Sequence, residues 1–341
     1  MTDTSRGTFL VVGENLHATR VLLRSGARVA TTPDGRPALP FEDAHGTARL
    51  LPVPDAAIEG SAEKGRVRHV KAAILAGLAG GPDAELARGY VSALARRQAD
   101  AGSDWLDLNV DEVSTDLDER LAAVRWLVAA VEDATAVPIS LDSSSAEVMR
   151  AGLAAMTRAA GTPLLNSASL DRLEVLDVAA AEGCAIVLSA SGGGMPANAA
   201  ERVANAHRIT DVATARGLAL GALHVDALVL PVAVEPDAGR HFLDAVRTLR
   251  AELGSPIHLT GGLSNVSFGL PVRRLLNDVM IDLAAQAGAD VGIIDPVANP
   301  PRRAFEQDRL ARPYALGAAL LTGADPFGGD FLAAYRAGEL A

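Results

Sequence analysis

Residues 137–169 read VPISLDSSSAEVMRAGLAAMTRAAGTPLLNSAS, a stretch that contains the repeating unit of the chain. A short apolar run ends in a polar residue, an alanine-rich segment with helical spacing follows, and a second apolar run begins. Short apolar runs of this kind are typical of strands that are buried on both faces, and a helix between two of them makes them neighbours in a parallel sheet. The stretch therefore predicts a β–α–β unit.

The same pattern occurs eight times along the chain. The eight runs are TFLVVGEN (8–15), DWLDLNV (104–110), VPISLDS (137–143), PLLNSAS (163–169), AIVLSAS (185–191), LALGALHVDA (218–227), PIHLTGG (256–262) and VGIIDP (291–296). Eight strands that alternate with helices are the signature of a (β/α)8 TIM barrel. We expect residues 1–341 to form a single α/β domain of this type.

The first repeat is longer than the others. Residues 27–80 contain Pro, Gly and mixed charges, which indicates an insertion in the first βα loop without regular structure. The βα loops of a TIM barrel lie on the face that carries the active site, and long loops in compact domains are often functional. We expect the insertion to serve as a lid or a docking element; a decoration without function is the alternative.

Composition excludes several classes of protein. The chain has 341 residues, of which 49% are hydrophobic, and its formal charge of −11 argues against a nucleic-acid partner. Cys184 is the only cysteine, so no intramolecular disulfide and no thiolate metal site is expected. No apolar run approaches the roughly 18 residues that span a bilayer. We therefore expect a cytoplasmic protein with no membrane segment.

Polar residues, nearly all of them Asp, Asn or Glu, stand at the ends of the predicted strands, where a TIM barrel carries its chemistry. They are Glu14, Asn15, Asp107, Asn109, Asp142, Asn166, Ser189, Asp226, Asn265 and Asp295. Helix capping explains such residues one at a time, because every βα loop needs an N-cap. However, Asp107, Asp142 and Asp226 come inside or at the end of the apolar run, before the loop residues that would cap a helix. A ring of carboxylates and amides at the barrel mouth is the prediction.

Such a ring lacks the features of several other chemistries. Neither a Walker loop nor GxGxxG is present, and Gly192 to Gly194 precede Met195-Pro196, which favours an ordinary loop over a phosphate-binding one. The seven histidines are scattered along the chain, so we expect no metal site. Carboxylates and amides without a metal suit a neutral, nitrogen-rich heterocycle whose N–H groups donate to the acids.

Several strings at these strand ends resemble a known family. DLNV (107–110), LDSS (141–144), LLNSAS (164–169), HVDALVLPV (224–232) and GLSNVSFGLPVRRLLN (262–277) are similar, in that order, to the pterin-binding methyltransferases. This family includes methyltetrahydrofolate:corrinoid protein methyltransferases and the folate domain of cobalamin-dependent methionine synthase. The resemblance runs from Phe9 to about Pro296 and excludes the insertion. The last string is the most specific of the five.

The resemblance implies roles for individual residues. Asp142, Asn166 and Asp226 match positions that hold the pterin ring, and Asp107 and Asn109 match the pocket floor. Asn265 matches the residue that reaches N5, the atom that carries the methyl group, and is the expected catalytic residue. Glu14, Asn15, Ser189, Phe268, Arg273 and Asp295 are expected at the mouth.

The chain also departs from the family pattern. Asp111 and Glu112 follow DLNV where the family commonly has Gly, and three serines follow Asp142. The opening GENLHATR (13–20) replaces the usual GERIN or GERTN, and it leaves His17, Thr19 and Arg20 without an assigned role.

The resemblance predicts transfer of a methyl group between N5 of tetrahydrofolate and a corrinoid cofactor. No cobalamin-binding DxHxxG stretch is present, so the corrinoid (cobalamin) is expected on a partner protein. The methyl source, within a demethylation system or elsewhere, stays open. The family also suggests a homodimer. Two alternatives remain: another pterin enzyme such as dihydropteroate synthase, and a folate-binding barrel without turnover.

Overall fold

The computed structural model describes residues 9–61 and 64–340. Thr8, which begins the first predicted strand, and residues 62 and 63 of the predicted insertion lie outside the described residues. The strands in the described part are β1 (Leu10–His17), β2 (Val21–Leu23), β3 (Ala30–Thr31), β4 (Pro37–Glu42), β5 (Ala48–Pro52), β6 (Ile58–Glu59), β7 (Arg66–Arg68), β8 (Trp105–Asn109), β9 (Ile139–Asp142), β10 (Leu164–Ala168), β11 (Ala185–Ser189), β12 (Leu223–Asp226), β13 (His258–Thr260) and β14 (Val291–Ile294).

The helices alternate with the later strands. They are α1 (His69–Ala79), α2 (Pro82–Asp100), α3 (Leu117–Glu132), α4 (Ala146–Ala155), α5 (Glu174–Glu182), α6 (Ala199–Ala215), α7 (Ala238–Leu253), α8 (Arg273–Ala287), α9 (Pro301–Phe305), α10 (Arg312–Leu321) and α11 (Gly329–Arg336). Several begin at side-chain caps: Asp116 accepts from the Glu119 N–H, Ser145 from the Val148 N–H and Asn198 from the Glu201 N–H.

One eight-stranded sheet contains all eight predicted strands. Its order is β13–β12–β11–β10–β9–β8–β1–β14, and a parallel bridge between Gly262 and Ile293 joins its two outer strands, so the sheet closes. Strands such as β11 and β14 are buried along their whole length, as expected when core packs on both faces. The predicted (β/α)8 TIM barrel is confirmed.

The chain divides into two compact units by the density of its internal contacts. The N-terminal unit comprises residues 13–166, and the C-terminal unit comprises residues 9–12 together with 167–340. The expectation of a single domain over 1–341 stays a prediction.

The insertion is structured, and in this respect the sequence prediction of an irregular loop over 27–80 is wrong. Strands β3, β4 and β5 form one antiparallel sheet, and β2, β7 and β6 form another. Helix α1 occupies the last eleven residues before Gly80, so the added segment ends near Arg68. The β3–β5 sheet packs on α2, where the Phe41 ring meets the Tyr90 ring edge-on with 5.7 Å between centroids. The sequence did not predict these strands because they are short, some contain Pro, and Gly residues lie in the turns between them.

No helix within the described residues is long and apolar enough to cross a membrane.

Candidate functional site

Three polar residues of the N-terminal unit lie side by side at the carboxyl ends of neighbouring strands. Asn109 of β8 is in register with Asp142 of β9, which is in register with Asn166 of β10. Parallel strands place their carboxyl ends on one edge of the sheet, and that edge carries the chemistry of a TIM barrel. The predicted grouping of these three residues is therefore present in the structure.

Two more residues complete what we call the acid cluster: His17, Asp107, Asn109, Asp142 and Asn166. The His17 Nε2 lies 3.0 Å from Asp107 Oδ2 and 3.9 Å from Asp142 Oδ2. Asn166 Nδ2 donates to Asp107 Oδ2 at 3.2 Å, and Asn109 Nδ2 donates to Asp142 Oδ2 at 2.9 Å. Asp107 is fully buried, and its Oδ1 has no hydrogen-bond partner among the described residues. A buried acceptor without a donor is unfavourable, which points to a donor from a ligand.

Burial and neighbouring charge shift the pKa values in the cluster. Burial, together with the charge of Asp107, raises the pKa of Asp142 to about 7, although the His17 charge and the Asn109 hydrogen bond act in the opposite direction. Burial alone would lower the pKa of His17, but its hydrogen bond to Asp107 and the charges of Asp107, Asp142 and Glu14 outweigh burial, so the His17 pKa is raised. The cluster therefore holds ionisable protons near neutral pH.

The residues that depart from the family pattern form a separate hydrogen-bonded loop. Asp111 accepts from the Ser143 hydroxyl at 2.6 Å, and from the Ser144 N–H and hydroxyl at 2.7 and 2.8 Å. The Asp111 N–H donates to Asn109 Oδ1 at 3.0 Å. Asp111 thus ties the loop after β8 to the loop after β9 and orients the Asn109 amide toward Asp142.

Of the two mouth residues predicted on β1, Glu14 pairs with Arg20 through an Oε1 to Nη2 distance of 2.8 Å. The Asn15 N–H donates to Gln98 Oε1 at 3.0 Å. Gly13 passes so close to Gln98 and Ser103 that a Cβ would lie 2.6 and 2.5 Å from their side-chain oxygens. The glycine of the opening motif is therefore required for close packing of β1 against α2 and the Ser103 turn.

His17, Asp107 and Asp142 offer ligand atoms that lie within 4.8 Å of one another, which is a spacing that a metal ion can use. However, two amide N–H groups already donate to the carboxylate oxygens that face His17. An amide donor and a cation need the same lone pairs, so this donor set fits a protonated imidazole better than a metal ion. We do not assign a metal site here.

The C-terminal unit carries a second registered row of polar residues. Ser189 of β11, Asp226 of β12 and Thr260 of β13 occupy the same level. The Leu228 N–H donates to Asp226 Oδ1 at 2.8 Å. Burial raises the pKa of Asp226 to about 6, although the Leu228 N–H and the charge of Arg202 act against this shift.

Arg202 is a buried residue that the sequence analysis missed. Its side chain is fully buried on α6, and its three nitrogens have no hydrogen-bond partner among the described residues. Burial lowers the Arg202 pKa, while the charges of Glu235 and Asp226 act against this shift. The sequence did contain a signal for its burial, because Arg202 lies at helical spacing on the same face of α6 as the buried residues Ala206, Ile209 and Ala213.

The remaining predicted residues of this unit lie in the loops after β13 and β14. Asn265 is in a 3₁₀ turn, Leu263–Ser267, with its side-chain nitrogen close to Gly262. Arg273 donates to the Ser267 hydroxyl at 3.0 Å and lies over the exposed Phe268 ring, 5.7 Å from its centroid. Asp295 accepts from the N–H groups of residues 297 and 298, so it caps its own loop.

Comparison with known proteins identifies the family of the chain. Residues 88–295 match the model of the pterin binding enzyme family. The match covers more than half of the chain, and the chain therefore belongs to the pterin-binding enzymes.

Among individual relatives, the chain is similar to the methylcorrinoid:tetrahydrofolate methyltransferase of Eubacterium limosum, with 27% identity over 231 residues, 64% of this chain and 83% of that protein. It is 28% identical over 230 residues to the methionine synthase of Mycobacterium leprae (strain TN), which covers 62% of this chain and 18% of that much longer enzyme. Among solved structures, a dihydropteroate synthase from Stenotrophomonas maltophilia superposes with a TM-score of 0.52 at 22% identity, over 64% of this chain and 86% of that one. This last likeness concerns the fold alone.

Proposed function

We propose that the protein transfers a methyl group between N5 of tetrahydrofolate and a corrinoid carried by a separate protein. The observation that carries the proposal is the acid cluster, in which Asn109, Asp142 and Asn166 stand in register beside a buried Asp107 with a free acceptor oxygen. The methyltransferase relative supports the reaction, because its own name states tetrahydrofolate as methyl acceptor and a methylcorrinoid as donor.

The acid cluster suits the edge of a pterin ring. This edge carries several N–H donors and a carbonyl acceptor, and a buried carboxylate gains about 1.5–3 kcal/mol from each charge-assisted hydrogen bond. Asp107 Oδ1 is an acceptor that has no donor among the described residues. Asp142 Oδ2 accepts from the Asn109 side-chain amide at 2.9 Å. We propose that both acids, with Asn166, receive the pterin ring.

Asp226 of the C-terminal unit has the properties that the resemblance requires of a second pterin ligand. It stands at the end of β12, and the Leu228 N–H donates to its carboxyl group at 2.8 Å. We propose that Asp226 also accepts from a ring N–H. This assignment is independent of the acid cluster and is tested on its own variant.

The chemistry at N5 calls for a hydrogen-bond donor. When the methyl group leaves N5, the bonding electron pair stays on the nitrogen, and N5 gains a proton as the C–N bond breaks. A side-chain amide can strengthen its hydrogen bond to N5 as this charge develops. We propose this role for Asn265, which lies in the 3₁₀ turn after β13 with its side-chain nitrogen close to Gly262.

The corrinoid supplies a centre that accepts or donates the methyl group when its carrier protein is bound. We propose that this carrier is a separate protein, and that the methyltransferase acts as a cytoplasmic homodimer. The family resemblance supports both statements. A second, non-catalytic role as a folate-binding barrel would leave the acid cluster unchanged, so activity must decide between them.

A transfer assay tests the proposal. The protein is incubated with 5-methyltetrahydrofolate and a reduced corrinoid protein, and the corrinoid spectrum is followed with time. A methylation signal that depends on the protein is expected, and dihydropterin pyrophosphate with 4-aminobenzoate is expected to give no dihydropteroate. Formation of dihydropteroate, or tight folate binding with no methyl transfer to any corrinoid carrier supplied, would contradict the proposal.

A further inference from the structure

His17 lies at the carboxyl end of β1 with its ring between the two acids of the cluster. Its Nε2 is 3.0 Å from Asp107 Oδ2 and 3.9 Å from Asp142 Oδ2, and 13% of its side chain is exposed. No Lys or Arg among the described residues forms an ion pair with either acid. His17 is therefore the group that places positive charge beside both carboxylates.

The charges around His17 are predominantly negative. Asp107 faces it from β8, Asp142 from β9, and Glu14 from its own strand, while Asp111 acts on Asp142 from the loop after β8. Arg20 compensates Glu14 through their 2.8 Å contact. Two carboxylates this close to one imidazole repel each other unless a proton or a cation lies between them.

We propose that His17 is a positioning residue, whose protonated ring offsets the charge of Asp107 and favours the ionised form of Asp142, so that Asp142 can accept a hydrogen bond from a pterin N–H. The role rests on the proposed function, because it names the ligand that Asp142 receives. The fifth position of the family opening GERIN or GERTN is Asn, whereas the fifth residue of the corresponding opening in this chain is His17.

The titration behaviour of the cluster agrees with this role. Burial and Asp107 both raise the pKa of Asp142, and the charge of His17 counteracts them. The net rise of the His17 pKa keeps its ring protonated over more of the neutral range. Well above pH 7 Asp142 is ionised with or without the positive charge of His17.

The closing experiment compares binding of 5-methyltetrahydrofolate to the wild-type protein and to His17→Asn between pH 6.5 and 8.5. An opposite charge within about 4–6 Å lowers a carboxyl pKa by about one unit or more, and His17 Nε2 lies 3.9 Å from Asp142 Oδ2. We therefore expect the variant to bind about tenfold more weakly than wild type at pH 6.5 and nearly equally at pH 8.5. His207→Asn is the matched control, because His207 also contacts an acid, Glu252, and both of these side chains are exposed. The Kd of this control for the folate should equal the wild-type Kd at both pH values.

A constant affinity loss at every pH would show that His17 is merely structural, and no loss at any pH would also overturn the proposal. A zinc-dependent change in affinity that a chelator reverses would instead assign His17 to a metal. His17→Gln replaces the Asn variant if that protein does not fold.

A second measurement is independent of folate. NMR titration of the His17 ring in the free protein should give a midpoint above 6.5, which falls in Asp107→Asn. A midpoint below 6.5, or one that Asp107→Asn leaves unchanged, contradicts the positioning role. If the wild-type protein does not bind the folate while this titration behaves as expected, the proposed function fails and the electrostatic role of His17 stands.

Discussion

Asp226 shows at the scale of a single residue how a buried acid affects stability. Its folded-state pKa of about 6 lies above the ordinary 3.8. The folded protein therefore binds this proton more tightly than the unfolded chain. The favourable contribution is complete below about pH 4 and is lost as pH rises through 6. Above that pH the ionised, buried carboxylate destabilises the fold.

We predict that Asp226→Asn raises the free energy of unfolding at pH 8 by up to about 3 kcal/mol, because the amide cannot ionise. The gain should disappear near pH 4. Urea denaturation of both proteins at the two pH values checks this prediction, with the exposed Asp211→Asn on α6 as control. A stability gain of equal size at both pH values would show that burial of the charge is not the cause.

Asn265 is expected to affect the transition state more than the ground state. Asn265→Ala should lower the rate of methyl transfer by about 100-fold or more, with a smaller change in folate affinity, because the hydrogen bond to N5 strengthens as the methyl group leaves. Single-turnover kinetics with saturating 5-methyltetrahydrofolate gives the rate of the chemical step. An unchanged kcat with a raised KM would make Asn265 a ground-state contact only.

Residues of the site differ in how far the sequence predicts them. Asp107, Asp142 and Asn166 could be predicted because each is a polar residue inside or at the end of an apolar run, before the loop residues that would cap a helix. Arg202 was missed because a charged residue on a helix is ordinarily exposed. His17 was left without a role because the predicted first run ended at residue 15, whereas β1 extends to His17 in the structure. Asp295 was predicted at the mouth, but its side chain accepts from the N–H groups of its own loop. Capping of this kind was the alternative explanation for any single polar residue at a strand end.

At the scale of elements, the insertion contains the exposed edge strand β2. Val21 and Leu23 of this strand are 41% and 64% exposed. Its sheet is linked to the loop after β8 by Arg68, whose Nη1 lies 3.4 Å from Glu112 Oε2. The sheet that contains β2 therefore contacts the loop after β8 through Arg68 of β7, whereas the β3–β5 sheet packs on α2.

We predict that Leu23→Ser leaves the affinity for 5-methyltetrahydrofolate unchanged and lowers methyl transfer several-fold at sub-saturating corrinoid protein, because an exposed apolar edge is a natural docking contact. Leu310→Ser in the C-terminal unit, where Leu310 is 93% exposed, is the control. Equal transfer rates for Leu23→Ser and wild type would exclude this edge from docking. Deleting the whole insertion is a poorer test, since it uncovers Tyr90 on α2.

The packing of α7 on the end of α10 gives a prediction for the fold itself. A Cβ at Gly239 would overlap the carbonyl oxygen of Leu321, which is backbone and has little room to move. Gly239→Ala should therefore destabilise the protein by about 1–3 kcal/mol despite the higher helix propensity of Ala. Chemical denaturation of this variant and of Gly221→Ala, whose Cβ would meet only Pro256 O at 3.7 Å, provides the comparison. A neutral Gly239→Ala would show that the helices can separate.

At the scale of the whole molecule, the alternation of eight runs was enough to predict the barrel. The small antiparallel sheets of the insertion were not predictable, because strands of two to six residues with interrupting Pro and Gly give no periodic signal. The pterin family is now assigned from residues 88–295, which span parts of both compact units. The central claim is that the acid cluster binds folate, and the separate proposal for Asp226 needs a variant of its own.

Calorimetric titration of 5-methyltetrahydrofolate into wild-type, Asp142→Ala and Asp226→Ala proteins at pH 7.5 tests this claim most directly. The wild-type protein should bind the folate. Each variant should lose about 1.5–3 kcal/mol of binding free energy, roughly a 10- to 150-fold rise in Kd, which is the scale of one charge-assisted hydrogen bond. No measurable binding by the wild-type protein, or wild-type affinity in either folded variant, would contradict the account.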